Sequence, residues 1–425
     1  MSVSQVNSQT PKTTEIVQYF PEEIIYELTK HINTLSGIRA LSLVSQHFFQ
    51  VIFSNEFPRW SALLMLHFPF SFQMTTSHLK PMDLYQNLKA IDHNMRIGTY
   101  QTRTLVGHEQ GVSCLEIKDG MVISGSNDGM IKIWDLESGQ ELRSLSGHKD
   151  YISCLEVKDG MVISGSYDQT IKIWDLASGQ ELHCLSGHQG VIDCLEVKDG
   201  MAISSSSDRT IKIWDIANGQ ELHSLSGCQN NISCLAVKDG MLVSGSFDRT
   251  IKIWDIANGQ ELHSLRGHER GVTCVAVIDG MVISGSLDKM IKIWDIASGQ
   301  DLHSLSGHLR AISSLEVKGK ALISGSTDGE IKIWDLARGQ ELHSLNGHKD
   351  RINCLEVKDG MVISGSNDGM IKIWDIANGQ ELQSLHGHQG QINCLGVKDG
   401  MVISGSDDQT IKIWDFTSTL KTANG

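Results

Sequence analysis

A Trp-Asp pair recurs every 40 residues in this chain, at Trp134, Trp174, Trp214, Trp254, Trp294, Trp334, Trp374 and Trp414. A Gly-His pair opens the same units at Gly107, Gly147, Gly187, Gly267, Gly307, Gly347 and Gly387, while the fourth unit opens with Gly227-Cys228. A period kept this strictly means a stack of like units, each covering its neighbour's apolar surface. In the first unit VSCLEI, MVISGS, MIKIW and ELRSL are short β-branched or alternating runs. KDG, NDG and ESGQ separate them with turn chemistry, and Gly120 supplies the positive φ of a tight hairpin. Four such strands per unit, repeated radially, predict a β-propeller rather than a helical solenoid.

On these residues the units resemble WD40 repeats, over residues 100–416. The resemblance implies a hydrogen-bonded tetrad in each blade, carried in the second unit by His148, Ser164, Asp168 and Trp174. Side-chain chemistry agrees: a buried Asp needs donors, His and Ser can supply them, and Trp adds one indole N–H. Histidine is also a metal ligand, but one set of partners per blade fits a structural network better, so no metal and no cofactor is expected. Eight units predict eight blades. After Asp415 only FTSTLKTANG remains, which contains no good fourth strand, whereas TYQTRTLV offers an orphan strand over residues 100–106. That strand is expected to close the ring by completing the last blade, leaving 417–425 as a tail.

Upstream, residues 1–16 are polar and expected to be disordered. YFPEEIIYELTKHI then places Pro21 at a first helical position, acids in the first turn, and Ile24 and Leu28 on one apolar stripe. GIRALSLVSQHFFQVI repeats the pattern with Ile38, Leu41, Val44, Phe48 and Ile52, and Trp60 opens a third helical candidate. These residues resemble the F-box, a small all-α module, across about residues 17–62. Phe20-Pro21-Glu22-Glu23-Ile24 stands where the family has Leu-Pro-x-Glu-Ile, and Trp60 matches its late tryptophan. Phe for Leu, Ser45 for Cys and Phe48 for Trp are departures, all compatible with an apolar docking face. Residues 63–99 read as a helical linker.

Charge and cysteine usage bound the function. The formal charge is -14, and residues 1–100 hold seven basic and seven acidic side chains, so all of the excess acid lies in the repeats. That argues against nucleic acid or an anionic membrane as partner. No apolar run approaches the ~20 residues of a membrane helix. Seven of the nine cysteines share one repeat position (114, 154, 194, 234, 274, 354, 394), with Cys184 and Cys228 as extras. They read as small buried hydrophobes in a reducing compartment, not as a disulfide framework.

The F-box and WD40 resemblances together imply a substrate-recognition adaptor of a ubiquitin ligase. The F-box would dock a Skp1-like adaptor, and through it a cullin, using Phe20, Pro21, Ile24, Leu28, Leu41, Val44, Phe48 and Trp60. The propeller would hold a target protein or peptide beside the conjugating enzyme, supplying proximity and no catalytic group. A ubiquitin-independent WD40 scaffold is the alternative. Target choice should lie where the repeats differ, and the residue before each tetrad Asp changes almost every time. Tyr151, Tyr167, Val191, Phe247 and Leu287 form an expected apolar arc, and Arg270, Arg310 and Arg351 a basic one suited to an acidic or phosphorylated segment. Phosphate-reading relatives carry arginines at the first-strand position, where this chain has Ser113, Ser153, Asp193, Ser233 and Thr273, so phosphate dependence is not carried over. The near-identity of the repeats also resembles arrays that intracellular bacteria direct at eukaryotic hosts. The expected location is cytoplasmic, with the nucleus open as well, or the host cytosol for such an effector.

Overall fold

The computed structural model describes residues 81–417. The F-box-like segment, with Phe20, Pro21, Ile24, Leu28, Leu41, Val44, Phe48 and Trp60, lies outside the described residues. A helix spans Pro81–Ile97. From Met95 onward the chain forms one unit, an eight-bladed propeller in which each blade is a four-stranded antiparallel sheet.

Local sequence explains each blade. In the first, Val112–Lys118 turns directly into Met121–Ser126, with Lys118 opposite Met121. The two linking residues, Asp119 and Gly120, take φ values of 47° and 75°, the paired positive dihedrals that an Asp-Gly hairpin favours. Ile131–Asp135 and Glu141–Leu145 complete the sheet. Every first strand carries a bulge near its start; in the first blade Val112 pairs with Ser126 and Cys114 with Gly125, which leaves Ser113 outside the ladder. A bulge re-aims the extra side chain, and here it aims it at the next blade.

The eighth blade takes its outer strand from far upstream. Gln101–Val106 pairs antiparallel with Thr410–Asp415, Leu105 facing Ile411. The first strands of consecutive blades pack side by side all the way round, the eighth against the first. The apolar core therefore sits between blades. Ile123, Ile131 and Leu145 of the first blade pack with Ile152, Leu155 and Trp174 of the second. The same arrangement seals the ring, where Leu105, Ile403 and Ile411 meet Val112, Leu115 and Trp134. The repeat-position cysteines are partly rather than fully buried, yet all nine thiols are free and burial pushes that of Cys114 up to about 12, which leaves it inert.

Candidate functional site

The tetrad fixes the frame on which any recognition surface must be carried. In the second blade the Trp174 indole N–H donates to Ser164 Oγ at 3.0 Å, and Ser164 Oγ lies 2.9 Å from His148 Nε2. His148 Nδ1 lies 2.8 Å from Asp168 Oδ2, which also accepts the Lys149 backbone N–H. Asp168 Oδ1 accepts the Thr170 hydroxyl at 2.6 Å. A neutral His148 satisfies the whole chain: Nε2 accepts the serine proton while Nδ1–H donates to the carboxylate. Burial accordingly holds His148 below its usual pKa. Burial also pushes the Asp168 carboxyl up, but bonds from Thr170, Lys149 and His148 outweigh it and hold it at about 2.

Blade four lacks the relay. Cys228 is buried there, and Ser244 still accepts the Trp254 indole while Asp248 keeps the backbone N–H of Gln229. A second frame element recurs at the blade edge. Lys172 Nζ donates to Glu181 Oε2 at 2.6 Å while lying over the Trp174 ring, and in blade eight Lys412 meets Thr104 instead. These lysine–glutamate pairs are charge-neutral, and the structural part of the excess acid lies in the tetrad aspartates, which are held by backbone N–H groups and neutral side chains.

The variable residues are presented by one repeated backbone contact. The N–H of Tyr167 donates to the Tyr151 carbonyl at 2.9 Å, and Ser207 to Val191, Phe247 to Asn231 and Leu287 to Gly271 do the same. Each residue before a tetrad Asp is therefore held beside the loop that opens its own blade, on one face of the ring. Tyr151 and Tyr167 are 41% and 43% exposed and their rings lie 5.8 Å apart. Phe247 and Leu287 are exposed on blades four and five, with Phe247 lying against Gly271, where a Cβ would come within 2.6 Å of its ring. Val191, on blade three, is half-buried. Arg270, Arg310 and Arg351 are exposed on blades five, six and seven.

A pocket of about 250 Å³ opens beside the tyrosine pair, lined by Ser113, Asn127, Ser153 and Asp193 as well as Tyr151 and Tyr167. The pocket lies on a girdle of contacts that the bulge residues make from blade to blade around the ring. Ser113 Oγ donates to the Ile152 carbonyl at 2.5 Å and Ser153 Oγ to that of Ile192 at 2.6 Å. Ser233, Thr273, Ser313, Asn353 and Asn393 each donate to the next blade in the same manner. Only Asp193 breaks the series. Among the described residues its Oδ2 has no hydrogen-bond partner, and burial, with the Asp208 charge nearby, pushes its carboxyl up to about 6. The girdle is not foreseen by the sequence reading. Its signal is a run of small hydroxyl and amide residues at the bulge, but the bulge itself is invisible to strand periodicity.

Among the described residues no catalytic constellation accompanies this surface. Frame tetrads, a closed ring and one variable face define a propeller of the protein-interaction class. The WD domain, G-beta repeat, matches residues 99–135, 139–175, 179–215, 219–255, 259–295, 299–335, 339–375 and 379–415, and the chain belongs to the WD40 repeat family. Propellers of this family are non-catalytic protein-interaction modules, and residues 99–415 form one. The crystal structure of the computationally designed Ika8 protein is similar, with 42% identity and a TM-score of 0.71 over 73% of this chain and 98% of that one. Among natural proteins, a probable E3 ubiquitin ligase complex SCF subunit sconB from Aspergillus fumigatus is 38% identical over 60 residues, 14% of this chain and 9% of that protein. Its counterpart from Aspergillus oryzae is 37% identical over 68 residues, 16% of this chain and 10% of that protein. The chain thus matches about a tenth of these relatives' length. They are fungal, and they lend the bacterial-effector resemblance no support.

Proposed function

We propose that this protein is the substrate-recognition adaptor of a Skp1–cullin–F-box ubiquitin ligase. The observation that carries the reading is the order of modules: F-box-like residues 17–62 precede a complete WD40 ring. Similarity to proteins described as SCF subunits supports it. In this reading Pro21, Ile24 and Leu28 belong to the apolar face that engages Skp1, and the propeller holds a target protein in reach of the conjugating enzyme. Binding at two separated surfaces raises the target's effective concentration at that enzyme, which is the adaptor's whole contribution to rate.

The apolar arc of Tyr151, Tyr167, Val191, Phe247 and Leu287 is the proposed capture surface, with its three aromatic rings as the anchors, since exposed aromatics dominate binding energy where they are covered by a partner. Recovery of the tagged full-length protein from eukaryotic cells tests the assignment. Skp1 and a cullin should co-purify with it and be lost from a Pro21→Ala/Ile24→Ala variant. Equal recovery of both from the two forms would reject the docking role.

A further inference from the structure

Blade three departs from its neighbours twice, and the two departures compensate. Its bulge residue is Asp193, where the other seven blades have a serine, threonine or asparagine that donates to the next blade's carbonyl. An ionised carboxylate has no proton to donate. The same blade has Ser205 where the others have glycine, and Ser205 Oγ reaches the Ile232 carbonyl at 3.5 Å. That carbonyl is the one the bulge residue would otherwise serve. Glycine is the natural occupant of that place, because a Cβ at Gly165 would come within 2.6 Å of Cys154 Sγ and of an Ile192 methyl carbon. Ser205 thus turns a longer hydroxyl contact toward that carbonyl from a tight site, while Asp193 makes none.

What remains is a carboxylate without a frame role, lining the pocket under two tyrosine rings. We infer that this pocket binds a basic side chain, lysine or arginine, of a peptide target. Three features fit that occupant and no acidic one. Asp193 is the counter-charge, and a buried carboxylate gains most from a partner that brings a full positive charge with N–H donors. Tyr151 and Tyr167 offer aromatic faces to the cation and its methylene stem. Ser113, Ser153 and Asn127 provide oxygen acceptors around the same space, and 250 Å³ suits one long side chain rather than a whole helix. The inference deepens the target-capturing half of the function proposed above and is independent of the Skp1 half.

Ligand-observed NMR on the full-length protein tests it, with N-acetyl-arginine methylamide and N-acetyl-lysine methylamide as probes. The citrulline and norleucine analogues serve as uncharged controls. The charged probes should bind at least about tenfold more tightly than their neutral analogues, since a cation within contact of a poorly solvated carboxylate is worth at least that factor. Asp193→Asn should erase the difference while leaving the protein folded, because asparagine already occupies this place in blades seven and eight as Asn353 and Asn393. Asp193→Ser, the residue of most other blades, should do the same. Absence of binding by any probe, equal binding of charged and neutral probes, or an unchanged preference in both variants would each overturn the inference. None of these outcomes bears on Skp1 binding, which reports on the docking half alone.

Discussion

At the scale of single residues the chain separates what holds a blade from what a blade shows. Asp168 and Trp174 are hydrogen-bonded into a relay that every complete blade repeats, whereas Tyr167 is exposed and held through its backbone. Blade four provides a measure of the relay. Replacing Cys228 by His restores an acceptor for the Ser244 hydroxyl and a donor for Asp248, so Cys228→His should stabilise by about 1 kcal/mol, the net value of a buried hydrogen bond. Thermal unfolding checks it, and a lowered melting temperature would contradict the assignment. The tetrad was legible in the sequence through the WD40 resemblance, which implies its four partners, and side-chain chemistry agreed with it. Asp193 was visible only as a departure from an arginine pattern. Its meaning depends on the Ile232 carbonyl and Ser205, which are brought to it by the fold and by no sequence period.

At the scale of the strand, the count of blades followed from eight Trp-Asp pairs and the ring closure from the orphan strand over residues 100–106, while the register of each pairing needed the structure. The first and last described strands of the ring share one sheet, and Leu105 is the apolar anchor of that junction, 3% exposed against Ile411 and the blade-one core. Leu105→Ala should cost about 2–4 kcal/mol, as large-to-small changes in a packed core do. The loss should exceed that of Leu142→Ala, a leucine 52% exposed on the outer strand of blade one. Denaturant unfolding of the two variants measures the difference, and equal losses would mean the junction is not a packing site. The bulges escaped sequence reading because the residue they expel is a small polar side chain in a strand-like run. Nothing in a period of two marks which residue leaves the ladder.

At the scale of the whole molecule, the first strands of the blades bring together five carboxylates that are far apart in the chain. Glu116, Glu156, Glu196, Glu316 and Glu356 occupy one repeat position, and each has its carboxyl pushed up by burial. Neighbouring glutamates add to the effect for Glu156, which reaches about 8, and for Glu356, which reaches about 7. A raised carboxyl pKa means the folded state binds the proton more tightly than the unfolded one. Its stabilising contribution is therefore full below the usual glutamate value near 4.5 and lost as pH rises through about 7 to 8. The buried tetrad histidines work in the opposite sense on the acid side, so the glutamate contribution is isolated by difference. Glu156→Gln should raise the melting temperature relative to the parent at pH 8.5, with the gain shrinking toward pH 5. A gain that does not vary with pH would rule out glutamate ionisation as its origin. The proposal that one module of this protein docks a ligase while the other captures its target is best probed by titrating purified Skp1 into the full-length chain in a calorimeter. A saturable one-to-one complex is expected; no heat of binding from protein whose melting transition shows it to be folded would contradict that division of labour.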